Sequence, residues 1–298
     1  ERLLVILPQG AEATTCHRVR WLDCACDVYS LGDDDLLVKV DPRDSGNLAT
    51  RLDPVRQVPA EALAWVERIA ALPGVERIDL PGGSVSLRVL GLEFARTAGG
   101  ELLFGMGRRA AAREHHAREI EQLAREIAAM RQPGRPLAHV RPEAWLESRV
   151  RARLTALDAS LVPAPVYGEV PACAGLVRGV IDLVAVDRTG RLAVLELKAA
   201  EDLHLPLQAL DYWMRVVWHQ ERGEFAALGY FPGVALRKDA PRLLLVAPAL
   251  DYHPTTETLL QFFSPAVEVE RIGLNSNWRD EARVMFRARG AQRPGAVE

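Results

Sequence analysis

The chain has 298 residues, is 49% hydrophobic and 26% charged, and carries a formal net charge of -3. That is ordinary globular composition, which excludes fibrous and disordered classes and allows one large domain or two modest ones, each with a proper core. A net charge this small announces no polyanion partner through the whole-protein field.

No stretch approaches the ~20 apolar residues that a membrane helix needs. "LLVILP" is too short for a signal-peptide core and lacks a basic leader, so no membrane is expected and the expected setting is cytoplasmic. The chain starts at Glu1 rather than Met, as it would after loss of a short leader or tag. Cys16, Cys24, Cys26 and Cys173 form no regular framework, so a disulfide scaffold is not expected and a reducing cytosol fits. "CHRVRWLDCAC" matches no strong zinc spacing, and its thiols read as buried or simply reduced.

Residues 1–105 read as an N-terminal α+β domain of unknown role. "LLVIL" and "DLLVKV" are strand-like, and "PAEALAWVERIAAL" has helical spacing opened by a proline. "SVSLRVLGLEFARTAGGELLFGM" alternates around Gly-Gly and predicts a hairpin. Residues 106–136 read as a helical connector rich in Ala, Glu and Arg, with an apolar stripe of Ile120, Leu123, Ile127 and Met130. "QPGRP" ends it and marks a boundary between two parts of the protein.

Residues 137–278 then read in order. A helix covers "PEAWLESRVRARLTAL", with proline in its first turn. Strands follow in "APVYGEV", "LVRGVIDLVAV" and "RLAVLELKA", the last two joined by the turn "DRTG". Next come a helix in "PLQALDYWMRVVWHQER", a strand in "RLLLVAPAL", a helix in "PTTETLLQFFS" and a strand in "AVEVERIGL". Residues 279–298, rich in Arg, Gly and Pro, read as a loosely held tail.

Three ionisable residues interrupt the apolar hairpin: Asp182, Glu196 and Lys198. Glu196 and Lys198 are two apart and share a strand face. Asp182 and Glu196 stand at nearly equal depth from the turn, so they can lie across from each other. Two such carboxylates, buried and uncompensated, must cost several kcal/mol (roughly) or take up a proton. A divalent metal resolves the conflict, and hard oxygen ligands suit Mg²⁺. Only three of the 37 basic residues are lysine, and Lys198 is one of them. A compact ammonium and a forked guanidinium differ at a reactive centre.

Two helices add polar groups. Trp145, Leu146 and Val150 look core-facing, which brings Glu147 near the buried side. Gln208 and Tyr212 are spaced i, i+4 and share a face. His204 lies between Lys198 and that helix, where a loop or cap role is the simpler reading. Trp145, Trp213 and Trp218 read as core or partner packing rather than base-stacking groups.

Helix Glu147, strand Asp182, Glu196-x-Lys198 and Gln208-x-x-x-Tyr212, in that order, resemble the PD-(D/E)XK nuclease superfamily, and the Gln-x-x-x-Tyr element is similar to its RecB-like branch. Ile181 stands before Asp182 where that family often has proline. The resemblance covers roughly residues 140–250. It implies an α/β fold with a restriction-endonuclease-like αβββαβ core, a mixed central sheet flanked by helices. It also implies Mg²⁺ or Mn²⁺ held by Asp182, Glu196 and the Leu197 carbonyl, with Glu147 completing the acidic cluster. Lys198 would position the attacking water, and Gln208 and Tyr212 would brace the site or touch the nucleic-acid backbone. The implied activity is metal-dependent hydrolysis of DNA phosphodiester bonds, as in repair or defence.

Residues 101–154 hold 11 arginines against 7 glutamates, a basic flank that DNA could use. Two other readings stay open: a non-catalytic nucleic-acid-binding module on the same fold, and a regulatory or interaction domain holding a structural ion. The chain has no P-loop motif, so a helicase or ATPase partner would be a separate protein. A second copy of the chain is another candidate partner.

Overall fold

The computed structural model describes residues 2–44, 50–171 and 179–293. It is a mixed α/β protein whose described residues form three open sheets, one of them six-stranded and mixed. None of the described helices is long and apolar enough to cross a membrane.

The first sheet holds β1 (Arg2–Pro8), β2 (Ala25–Leu31) and β3 (Leu37–Val40), with α1 (Ala13–Val19) between its first two strands. Next come α2 (Ala60–Ala70) and a five-stranded antiparallel meander. Its strands are β4 (Val75–Leu80), β5 (Ser84–Val89), β6 (Leu92–Ala98), β7 (Glu101–Phe104) and β8 (Ala110–Ala111), followed by α3 (Ala117–Met130). The predicted hairpin is present, and the strands of residues 1–105 fall into two separate sheets. Most of the connector also belongs to the meander. Ile120, Ala124 and Ile127 of α3 are buried in the core of that sheet, whereas Met130 is exposed. The apolar stripe therefore turns through Ala124 instead of continuing to Met130.

The remaining chain builds the large sheet. In sequence the elements are α4 (Pro142–Ala152), α5 (Leu154–Leu157), β9 (Tyr167–Pro171), β10 (Val180–Val186), β11 (Leu192–Leu197), α6 (Leu205–Glu221), α7 (Glu224–Ala227), β12 (Arg242–Pro248), α8 (Thr255–Leu260), β13 (Val269–Leu274) and β14 (Val284–Arg289). The sheet order is β14-β13-β12-β11-β10-β9, in which β11, β12 and β13 run parallel and the other neighbours are antiparallel. Two apolar layers sandwich it. Leu210, Trp213 and Val216 of α6 cover one face, and Trp145, Leu146 and Val150 of α4 cover the other. β11 is buried along its whole length, as expected of an interior strand covered by helices on both sides.

The predicted long helix at 142–157 breaks at Arg153 into α4 and α5. The predicted loose tail is corrected: Val284–Arg289 pairs with β13 as the sixth strand. Buried Arg271 reinforces it by donating to the carbonyl of Gly290 at 3.1 Å and to that of Gln292.

The composition break at 132–136 is flanked by a tightly bonded residue. Arg131 is fully buried and donates to the carbonyls of Leu90 at 2.7 Å, Leu137 at 3.1 Å, Val140 at 2.7 Å and Arg141 at 3.2 Å. Its guanidinium stacks 4.8 Å from the Trp145 ring centroid. Burial lowers its pKa to about 10, so it stays charged at neutral pH. At the same junction the meander touches the α4 backbone. A Cβ on Gly91 would lie 1.8 Å from the Ala144 carbonyl oxygen, and the φ of +76° also demands glycine.

Candidate functional site

The ladder between β10 and β11 runs from the turn to the pair Leu183–Leu195. Asp182 and Glu196 are the next two residues outward. Instead of continuing the ladder, Asp182 turns its carboxylate to the opposite strand, where Oδ2 accepts the Leu197 amide at 2.8 Å. Strand alternation slips at this point: Ile181 and Val184 pack in one layer and Leu183 and Ala185 in the other.

Glu196 is 1% exposed. Its Oε1 lies 3.6 Å from Lys198 Nζ, and its Oε2 is buried without a hydrogen-bond partner among the described residues. Burial pushes the Glu196 carboxyl well above its usual range, and the nearby Asp182 charge adds to the rise. Burial likewise raises Asp182 to about 7, against the opposing Leu197 hydrogen bond and with help from Glu147. Burial lowers the pKa of Lys198, but Glu196 and Asp202 outweigh it and hold the ammonium above its ordinary value. Asp202, 3.2 Å from Lys198 Nζ, also accepts the His204 amide at 2.7 Å, which ties the end of β11 to the start of α6.

α6 starts at Leu205 with Pro206 in its first turn. Gln208 Nε2 donates to the Tyr212 hydroxyl at 3.0 Å, and the Val180 amide also donates to that oxygen. Burial raises the Tyr212 phenol, and Glu196 is among the charges that raise it further. Tyr212 lies against Gly179, where an added Cβ would come within 2.7 Å of its ring. One cavity is lined by His204, Gln208, Tyr212 and Arg18, the last bound to Asp211 by two hydrogen bonds.

The structure thus brings Asp182, Glu196, Lys198 and Tyr212 together at one end of the hairpin, with Gln208 attached through Tyr212. Glu147 lies on the α4 side, close enough to influence Asp182, but Arg151 takes its Oε1 at 2.8 Å and Arg88 its Oε2 at 3.3 Å. Gly168 makes room for that contact: its missing Cβ would lie 2.3 Å from Arg151 Nη2 and 3.0 Å from Glu147 Oε1.

Among the described residues no group of three or more His, Cys, Asp or Glu side chains converges to cage a metal ion. What the site offers a hard cation is the buried Glu196 carboxylate with its unpartnered oxygen and the half-buried Asp182 carboxylate, beside Leu197. That donor set suits Mg²⁺, which takes one or two carboxylates and keeps waters in its shell. Cys16 is buried, Cys24 and Cys26 are half-buried, and all three are free thiols; Cys173 lies outside the described residues. Trp145 and Trp213 are buried in the two core layers, and Trp218 carries the Arg222 guanidinium 3.4 Å above its ring.

Sequence reasoning missed the arginines from the meander. Arg88 on β5 and Arg96 on β6 reach the cleft that holds Glu147 and Asp182, and both grip Glu169 of β9. The available signal was a charged residue inside the apolar run "SVSLRVL". Comparison with known proteins finds no matching family model, curated relative or solved structure.

Proposed function

We propose that the chain is a metal-dependent nuclease that hydrolyses DNA phosphodiester bonds, on a restriction-endonuclease-like core running from α4 to β12. The observation that carries the reading is the half-buried Asp182 beside the fully buried Glu196 at the end of the β10–β11 ladder, with Lys198 next to Glu196. Two neighbouring carboxylates of raised pKa and one orphan oxygen form a site that a divalent cation would neutralise. Asp182, Glu196 and the Leu197 carbonyl would hold Mg²⁺ or Mn²⁺. When bound, the ion supplies an activated water and charge neutralisation on phosphorus.

The chain's own groups would do the rest. Lys198, fixed between Glu196 and Asp202, orients the attacking water and steadies charge on the phosphoryl oxygens. Tyr212 and Gln208 brace the start of β10 and hold the rim of the cleft. Glu147, held by two arginines, acts on the site through its charge.

The test is cleavage of labelled single-stranded, duplex and branched DNA with Mg²⁺, Mn²⁺ or EDTA. We expect metal-dependent cleavage by the wild type and a loss of about 10³-fold or more in Asp182→Ala and Lys198→Ala. If the wild type cleaves none of the substrates, the hydrolytic reading is wrong. DNA binding retained in that case would favour a binding module on the same core.

A further inference from the structure

Glu169 has an unusual setting. It sits in β9 between Gly168, which pairs with Leu183, and Val170, which pairs with Ile181, so it faces the position of Asp182. Its φ is +51°, a left-handed conformation that a residue with a Cβ rarely adopts. Its side chain is 31% exposed. Both carboxylate oxygens are taken by the meander: Arg88 Nη2 donates to Oε1, and Arg96 Nη2 to Oε2 at 2.7 Å.

A plain ionic bolt between the two sheets would need neither strain nor an opening to solvent. Elsewhere in the same network Glu93, with a side chain only 9% exposed, has the closed setting of a structural carboxylate, bonded within the meander to Arg96, Arg109 and Ser86. Glu169 instead stands at the mouth of the cleft, presenting two oxygens to two guanidiniums. That is also the way a phosphate group is recognised by arginine. Arg88 is rigidly aimed: it is 4% exposed, and its Nε and Nη1 are fixed by Ser86 and Glu147.

We propose that Arg88 and Arg96 form the phosphate clamp of this site and that the Glu169 carboxylate is its built-in competitor. The meander then grips the DNA backbone next to the scissile bond, and Glu169 sets how tightly. The inference rests on the nuclease reading for the identity of its ligand. A backbone phosphate entering the cleft takes over the two guanidiniums, and Glu169 swings to solvent.

The test measures binding of a labelled single-stranded oligonucleotide in Ca²⁺, beside cleavage in Mg²⁺. Glu169→Gln and Glu169→Gly each remove the competing charge, and glycine also suits the left-handed backbone. Both should tighten binding about three- to tenfold. Arg96→Gln should weaken it about tenfold and lower the salt dependence by about one counterion. Arg109→Gln, which touches only the Glu93 side of the network, should stay within about twofold. Unchanged or weaker binding in both Glu169 variants, with their thermal melts intact, would overturn the clamp. So would a loss in Arg109→Gln equal to that in Arg96→Gln. If the Glu169 variants bind more tightly while no protein cleaves DNA, the clamp stands and the nuclease reading falls. If cleavage is seen but neither Glu169 variant shifts binding, the nuclease stands and the clamp falls.

Discussion

At the start of β12, Asp158 is buried with both oxygens occupied: Oδ1 accepts the Ser160 hydroxyl at 2.7 Å and amide at 2.8 Å, and Oδ2 accepts Arg242 at 2.7 Å. Arg242 also reaches Glu270 at 3.1 Å, and Arg287 reaches Glu270 at 2.9 Å. At the other end of β11, Glu196 is buried with Lys198 3.6 Å from one oxygen and no hydrogen-bond donor on the other among the described residues, and half-buried Asp182 stands beside it. Burial raises the Asp158 carboxyl, but Ser160 and Arg242 outweigh it and hold the group below its usual range, whereas Asp182 is raised to about 7. One sheet therefore carries a satisfied acidic cluster and an unsatisfied one. A buried charge that the fold itself completes reads as architecture. A buried carboxylate left incomplete, in a fold that completes one elsewhere, is the feature on which the proposed metal site rests.

The largest expected contrast lies in stability. Arg242→Met should destabilise by about 2–3 kcal/mol, because it takes the close guanidinium from buried Asp158 Oδ2 and leaves only Arg287 at 3.8 Å as a counter-charge. Glu196→Gln should do the opposite at pH ~8 without divalent metal, stabilising by roughly 1–3 kcal/mol. Urea unfolding of both variants reads the two signs directly, and equal losses would erase the contrast.

A smaller effect is expected with pH. The folded pKa of Asp182 lies above its unfolded value near ~4, so its contribution is full at low pH and is lost as pH rises toward about 7. Asp158 is depressed, so its contribution is present above ~4 and lost as pH falls through its folded value. In EDTA the wild-type melting temperature should therefore decline from pH ~4 to about 7, and Asp182→Asn should make that decline shallower, leaving the part that belongs to the raised Glu196 carboxyl. Added Mg²⁺ should raise the melting temperature more at the alkaline end. An identical alkaline slope in Asp182→Asn would place its cause elsewhere.

Tyr212→Phe should have the smallest effect. It removes the bonds from Gln208 and Val180 at about 1 kcal/mol and should slow cleavage by several-fold without abolishing it. Single-turnover rates would show the difference, and a complete loss would assign the phenol a direct chemical part.

The core elements from α4 onward were legible because their signals are local. Alternation, a proline at the starts of α4, α6 and α8 and the "DRTG" turn each act within a few residues. The β10–β11 hairpin made the Asp182–Glu196 pairing a matter of counting. β2 and β4 were not read, because "ACDVYSL" and "VERIDL" carry charges that blur the strand pattern. β14 was hidden by composition: "VMFRAR" has the arginine content of a tail, yet pairs along an edge where those arginines find Glu270 and solvent. Arg88, Arg96 and Glu169 could not be placed at the site from sequence. Their meeting depends on how a separate sheet seats on α4 and β9, a contact with no periodicity of its own.

The seat itself depends on Arg131. Its one guanidinium satisfies carbonyls on the β5–β6 turn and on the segment leading into α4, and its flat face covers Trp145. The stretch at 132–136 that looks like a linker is a suture. A chimera joined there would leave the arginine and Leu90 on one parent and Leu137, Val140, Arg141 and Trp145 on the other. An exchange of either sheet should therefore carry residues 131–145 together from one parent.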